Sequence, residues 1–393
     1  MLTFLESVGR RSEAELYLAL FRQLPKQSFA IVVTEAAVIR HALGSLLEEL
    51  KFLADLGLVA PVVVGASSPD TALRGASELA RHLPRVGLAP TEYEMTAPGL
   101  GEQVSRDLVE ERVPLLWFGP EPEVKPRHRF GRVGQLAREL RTRKVVLVRQ
   151  RGSLAFRDDA DLGRLDRLGL LGPRGELSVV NLRTDRDALS GKVLRSEDQR
   201  LLDWLAALLE AATADTKPTV SVTSPLNLLR ELFTVRGDGT LIKLGAEVKR
   251  VASWEGLDCA RLQGLLERSF GRTLRSEFFQ RTPSSLYVEA DYRGAAILEP
   301  SRVAPYLSKL AVEPLAQGEG IARDLWQALA RDHAAFFWRA RPDNPITSWY
   351  LSQCDGVLRL FDWHVYWRGL LPEQIPAAVR EALGRPEDFV TAR

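Results

Sequence analysis

The chain has 393 residues, 45% of them apolar and 26% charged, with a formal net charge of +2. That length suits two domains with their own cores, and so small a net charge gives no electrostatic footprint for nucleic acid or a membrane surface. Two cysteines, Cys259 and Cys354, cannot build a disulfide framework and lack metal-site spacing, and no window approaches 18 uninterrupted apolar residues. Lysine supplies only 9 of the 53 basic residues, and the arginines are spread along the whole chain. The N-terminus, MLTFLESVGRRSEAELYLALF, has no basic start followed by an apolar run, so it does not read as a secretory signal. The expectation is a soluble cytoplasmic protein without a metal.

Along the chain, residues 13–24 place Leu16, Leu20 and Leu24 on one helical face. FAIVV at 29–33 reads as a buried strand, 42–56 as a helix and VAPVVVG at 59–65 as a second strand. Strand, helix, strand with short links predicts a parallel sheet covered by helices. Further strands are expected at 113–118, 144–149, 178–182 and 219–222, and an amphipathic helix at 199–212. The stretch 119–134, GPEPEVKPRHRFGRVG, is rich in proline and charge and reads as an exposed loop. ELFTVRGDGTLIKLG, from Glu231 to Gly245, adds a strand or helix end, a Gly-Asp-Gly turn and another strand. After Gly245 the order changes: a helix at 257–269, then a strand pair at 285–289 and 295–298 around Tyr292-Arg293-Gly294. The domain boundary is placed near 247, giving units 1–247 and 248–393.

Residues 306–350 carry the chemistry. YLSKLAV is a strand, Gln317-Gly318-Glu319-Gly320-Ile321-Ala322 a glycine-bearing turn opening a helix, and FFWRAR a second strand. Gly318 and Gly320 allow the backbone close to a diphosphate, and the amides of the helix start point at it. Ile321, Leu325 and Leu329 form the apolar face of that helix. Lys309, Arg339 and Arg341 are cations beside it, suited to an anionic acceptor. Other readings stand beside these: Arg341 as a surface ion-pair partner, Lys309 facing solvent on an alternating strand, Tyr350 packed on Trp349. Cys354, His333 and His364 read as structural.

The turn matches the Q/R-x-x-G-x-G/A pattern of the GNAT-type acetyltransferases. With YLSKLAV, FFWRAR, Asn344-Pro345-Ile346, Trp349-Tyr350, Asp355-Gly356 and WHVYWRGL, the segment 306–370 resembles the acetyltransferase domain of vertebrate-like N-acetylglutamate synthases, including bacterial bifunctional synthase/kinases. Weaker similarity runs upstream to FAIVVTEAAVI and GLVAPVVVGASSP.

The resemblance implies an α/β chain with an amino-acid-kinase-like αβα N-terminal domain on a mostly parallel sheet, and a C-terminal N-acetyltransferase domain with a mixed sheet. It implies acetyl-CoA as cosubstrate and L-glutamate as acceptor, the entry to arginine biosynthesis by direct attack. Lys309 and Arg339 would bind the glutamate carboxylates and Asn344 would position substrate and a relay water. Tyr350 would protonate the departing thiolate, and an amide near Ala311 or Val312 would polarise the thioester carbonyl. L-arginine would be an effector near Glu231, Gly237 and Gly239, and the kinase-like domain would assemble a homo-oligomer. The alternative is a non-catalytic, arginine-sensing or scaffolding protein, or a transferase for another acidic amino acid.

The N-terminal half departs from the family. Where its kinases carry K-x-G-G this chain reads Val33-Thr34-Glu35-Ala36, and where they carry H/N-G-G-G/A-P it reads Gly65-Ala66-Ser67-Ser68-Pro69. A carboxylate stands where phosphate oxygens would lie, so kinase activity is not expected.

Overall fold

In the computed structural model, the valine-rich runs form the inner strands of a sheet, and nearly every side chain of those strands is buried. The structure describes residues 25–390 apart from 122, 168–169, 173–174, 187, 190–192, 213–217, 234–238, 315–319 and 345. The expected helix at 13–24 lies outside the described residues, as do Gln317, Gly318, Glu319 and Gly237. Two compact units divide between Leu244 and Gly245.

The first unit holds strands β1 (Ile31–Thr34), β2 (Val62–Val64), β3 (Pro90–Glu94), β4 (Val113–Trp117), β5 (Lys144–Val148), β6 (Val179–Asn181), β7 (Thr219–Thr223) and β8 (Thr240–Lys243). They make one sheet in the order β3-β4-β2-β1-β5-β7-β8-β6, parallel except for the β7–β8 pair. Helices α1 (Ala36–Asp55), α2 (Ala72–His82), α3 (Leu100–Val109), α4 (Pro126–Glu139), α5 (Leu162–Arg167), α6 (Ser196–Ala212) and α7 (Leu228–Phe233) belong to the same unit. Strands buried on both faces need no alternation, which is why short apolar runs suffice to mark them.

The stretch 119–134, expected as an exposed loop, is not one throughout its length. Its second half is helix α4, with Pro126 at the start where a missing N–H costs nothing. Phe130, Val133, Leu136 and Ala137 face the core at helical spacing, hidden in the sequence among charges. Gly134 lets α4 approach α6, since a Cβ there would lie 2.9 Å from the Ala211 Cβ.

Among the described residues the second unit has seven strands: β9 (Val248–Val251), β10 (Ser285–Glu289), β11 (Gly294–Glu299), β12 (Tyr306–Val312), β13 (Phe336–Ala340), β14 (Gly356–Arg359) and β15 (His364–Arg368). Their order is β14-β15-β13-β12-β11-β10-β9, antiparallel except between β12 and β13. Helices α8 (Cys259–Phe270) and α9 (Ile321–Asp332) flank it, with α10 (Thr347–Gln353) and a C-terminal α11 (Ile375–Gly384). Gly294 lets α9 cross β11 closely: a Cβ there would stand 2.5 Å from Ile321 Cγ2.

Candidate active site

The parallel pair β12–β13 is joined at a single register position, Tyr306 opposite Phe337. On its other side β12 is paired with β11 all the way from Tyr306 to Val312. The two central strands therefore splay, and the β13-facing backbone groups beyond Leu307 border a cleft instead of a neighbour. An unpaired strand edge inside a sheet is a template for an extended, amide-bearing ligand.

Pairing between β11 and β12 slips between Ile297–Lys309 and Leu298–Leu307, leaving Ser308 as a bulged residue. Leu307 and Leu310 consequently share one core, a spacing of three that a regular strand cannot give. Lys309 and Ala311 turn to the other face, where Phe278 and Phe389 pack.

At the mouth of the splay lies a cavity of about 150 Å³, a volume of the order that holds a six-membered carbon ring. Lys309, Arg339, Arg341, Asn344 and Tyr350 all line it, together with Trp363 and the segment Pro386–Phe389. The five residues singled out from the sequence are thus brought together, while the C-terminal wall had no signal in the sequence reading. Its carboxylates, Glu387 and Asp388, are separated from the motif residues by two strands and a helix.

Lys309 does not face solvent. It is 7% exposed and its ammonium pairs with Asp388, while also donating to Ser308 O at 3.1 Å and Ser308 Oγ at 3.2 Å. Burial pushes its pKa down, and the Asp388 carboxylate opposes that shift.

Arg339 has a different occupation from the one expected. Its guanidinium donates to Ala382 O (2.7 Å), Leu383 O (3.3 Å), Arg385 O (2.8 Å) and Pro386 O (3.1 Å). It caps the orphan carbonyls at the end of α11. Arg341 pairs with Glu387 and reaches Asp362 O at 3.4 Å. The Trp363 ring lies 4.1 Å from each guanidinium and so stands against both.

Asn344 Oδ1 accepts the Ile346 N–H at 3.0 Å. The Tyr350 ring is packed among Trp338, Trp349 and Tyr366 at 5.5, 5.6 and 5.5 Å, and the residue also lines the cavity. Burial pushes the Tyr350 pKa above its ordinary value, which keeps the hydroxyl a donor at neutral pH.

On β12, the Val312 N–H donates to Ser269 Oγ at 3.2 Å, and that hydroxyl donates back to Val312 O at 3.1 Å. Of the expected carbonyl-polarising amides, Val312 is therefore engaged by Ser269 in this state. Gly320 precedes α9 with φ of 77°, the left-handed geometry that favours glycine. Ile321 is buried under the helix and Ala322 is half-buried.

In the N-terminal unit the Glu35 carboxylate accepts the N–H groups of Ser67 at 2.8 Å and Ser68 at 3.4 Å. Arg129, 5% exposed, donates to the carbonyls of Ala66 (2.9 Å), Ser67 (3.1 Å) and Val124. The loop that would meet a phosphate is clamped from both sides by the protein's own charges. Glu231 is also committed: one carboxylate oxygen accepts Gly239 N–H at 2.6 Å, and its backbone carbonyl receives Lys144. A Cβ at Gly239 would lie 2.8 Å from that Glu231 oxygen. Among the described residues no cluster of metal-ligating side chains occurs, and no helix is long and apolar enough to cross a membrane.

Residues 249–383 match the family described as the N-acetyltransferase domain of N-acetylglutamate synthase. A Xylella fastidiosa protein named acetylglutamate kinase is 30% identical, over 96% of this chain and 99% of its own length. The human mitochondrial N-acetylglutamate synthase is 33% identical over 65% of this chain and 46% of its own. The Neisseria gonorrhoeae N-acetylglutamate synthase, solved with coenzyme A and N-acetyl-glutamate, shares the fold. That match has a TM-score of 0.50 and 16% identity, over 92% of this chain and 98% of that one.

Proposed function

The chain belongs to the family of acetylglutamate kinases and N-acetylglutamate synthases that join a kinase-like unit to an N-acetyltransferase unit, and we propose the residue roles that follow. It is an N-acetyltransferase that moves acetyl from acetyl-CoA to the amino group of L-glutamate. The observation that carries this reading is the β12–β13 splay, with the cavity of Lys309, Asn344 and Tyr350 at its mouth.

Acetyl-CoA lies with its amide arm along the open edge of β12 and its diphosphate at the start of α9, where Gly320, Ile321 and Ala322 present amides. The resemblance assigns Gln317, Gly318 and Glu319 to the same cofactor contact. The glutamate amine attacks the thioester carbonyl, the C–N bond forms, the C–S bond breaks, and the thiolate takes a proton from the Tyr350 hydroxyl. The amine's surplus proton leaves through a water held by Asn344. Lys309 holds a carboxylate of the acceptor, and Ala311 frames the carbonyl. Arg339 serves the site by fixing its C-terminal wall, and Arg341 lines the acceptor end.

In the N-terminal unit, Glu35 fills the seat of a phosphate, which supports a unit without phosphoryl transfer. The resemblance of ELFTVRGDGTL to arginine-sensitive relatives supports L-arginine as an effector, and assembly of a homo-oligomer through this unit accompanies it. A titration of the full chain with L-arginine, followed by calorimetry, checks the first of these.

The direct experiment is thiol release from acetyl-CoA across a panel of amino acids. L-glutamate is expected to be the preferred acceptor. Turnover with another acceptor and none with glutamate would overturn the substrate, and no turnover with any would return the chain to a binding module.

A further inference from the structure

We propose that Asp388 is a positioning residue for acyl transfer: it keeps Lys309 an ammonium inside the acceptor cavity, so the C-terminal segment Arg385–Phe389 completes the site. The inference rests on the acetyltransferase reading given above.

Lys309 is enclosed by the Phe278 and Phe389 rings, 5.3 and 5.6 Å from its ammonium. Its carboxylate partner is Asp388, itself 9% exposed. Asp388 is delivered by a segment that is hydrogen-bonded in place: Arg275 N–H donates to Asp388 O at 2.8 Å, and Val390 N–H to Thr273 O at 2.9 Å. Leu274 and Phe389 form a β-bridge between those two bonds.

The other charges facing the pair come from several elements. Arg281 pairs with Asp388 and with Glu299 at 3.3 Å, and Arg385 pairs with Glu299 at 2.8 Å and Glu381 at 2.7 Å. The Tyr306 hydroxyl, buried and held protonated, is neutral. Lys309, Arg281 and Arg385 are thus matched by Asp388, Glu299 and Glu381, while Arg272, Arg339, Arg341 and Glu387 line the same cavity. Removing Asp388 leaves a cation in excess around a buried amine whose remaining carboxylate, Glu299, already pairs with Arg281 and Arg385, and such an amine gives up its proton. A neutral amine cannot hold an acceptor carboxylate. Arg281 acts in the opposite direction, since its positive charge disfavours a protonated Lys309.

The test is equilibrium binding of N-acetylglutamate to the full chain with coenzyme A present, by calorimetry from pH 6 to 10. This ligand has two carboxylates and no titrating amine. In the unaltered protein, binding should weaken as Lys309 deprotonates at the alkaline end. Asp388→Asn should bind at least tenfold more weakly at pH 8.5 and much less so at pH 6, and Asp388→Glu should recover the original profile. Arg281→Gln should move the alkaline fall to higher pH. A loss in Asp388→Asn that is equal at every pH would overturn the inference, leaving a structural pair only. So would profiles of Asp388→Asn and Arg281→Gln that match the unaltered protein. Should Asp388→Asn not fold, an unmoved limb in Arg281→Gln is decisive by itself. If the unaltered chain neither binds N-acetylglutamate nor acetylates glutamate, the transferase reading fails first and takes this inference with it.

Discussion

Lys309 and Asp388 lie 79 residues apart in the chain and form an ion pair inside the cavity where β12 leaves β13. A buried pair of this kind is weak evidence for stability as a whole, because desolvating two charges offsets their attraction. Breaking it from one side is another matter. Lys309→Met should lower stability, by less than the cost of a fully stranded buried charge, about 3–5 kcal/mol, since Arg281 still pairs with Asp388. Lys309→Met/Asp388→Leu should recover much of that loss while leaving glutamate turnover abolished. Calorimetric melting of the three proteins checks the order; a double variant less stable than the single one contradicts it.

Tyr350→Phe retains the ring packed against Trp338 and Tyr366 and removes only the hydroxyl. As the proton donor to the leaving thiolate, its loss should lower kcat by about 10²-fold or more, with both KM values little changed. Steady-state kinetics with acetyl-CoA and glutamate decide it, and an unchanged kcat would remove Tyr350 from the chemistry.

Arg339 bonds four backbone carbonyls at the end of α11. Arg339→Met should cost about 2–4 kcal/mol of stability, taking charged hydrogen bonds at about 1.5–3 kcal/mol with partial replacement by water. Its glutamate KM should rise less than that of Lys309→Met. The opposite ranking would show that Arg339 leaves the helix end to bind substrate.

Glu49 accepts the Leu229 N–H at 2.8 Å, and burial raises its pKa to about 7. Between pH 4.5 and 7 the folded chain holds this proton and the unfolded chain does not. Stability of the N-terminal unit should therefore fall as pH rises through that window and level off above it. Glu49→Gln keeps an oxygen for Leu229 and should flatten the slope. Melting temperatures across pH 5 to 8 test this, and equal slopes in the two proteins would refute it.

The Glu35 carboxylate sits on the Ser67 and Ser68 amides that a phosphate would need. No phosphoryl transfer from ATP to N-acetylglutamate is expected, and a hydroxylamine trap for acyl phosphate measures it. A positive signal would show that Glu35 swings away.

Much of the architecture was legible along the chain because the patterns that build it are local. Val62–Val64 and Val145–Val148 need no partner information to read as buried strands, and Ile321, Leu325 and Leu329 mark their helix by spacing alone. Helix α4 is not legible in the sequence because its core-facing residues stand among five charged ones, and tertiary contact with α6 decides its state. Part of the candidate cavity's lining was also legible, since Lys309, Arg339, Arg341, Asn344 and Tyr350 line it.

What each of those residues does was decided only by the tertiary structure. A charge in a sequence does not name its partner. Arg339 and Lys309 both read as carboxylate binders, but the end of α11 and the residues after it bring four carbonyls to Arg339, while the bulge at Ser308 turns Lys309, for which a solvent-facing place was the alternative, inward to Asp388. Asp388 and Glu387 carried no motif at all and became walls of the site because the chain end returns to β12. By itself, the sequence determined which elements form and which residue types gather at the splay. The long-range packing determined which charges remain for a ligand, because desolvation makes each buried charge take whatever partner the fold places beside it.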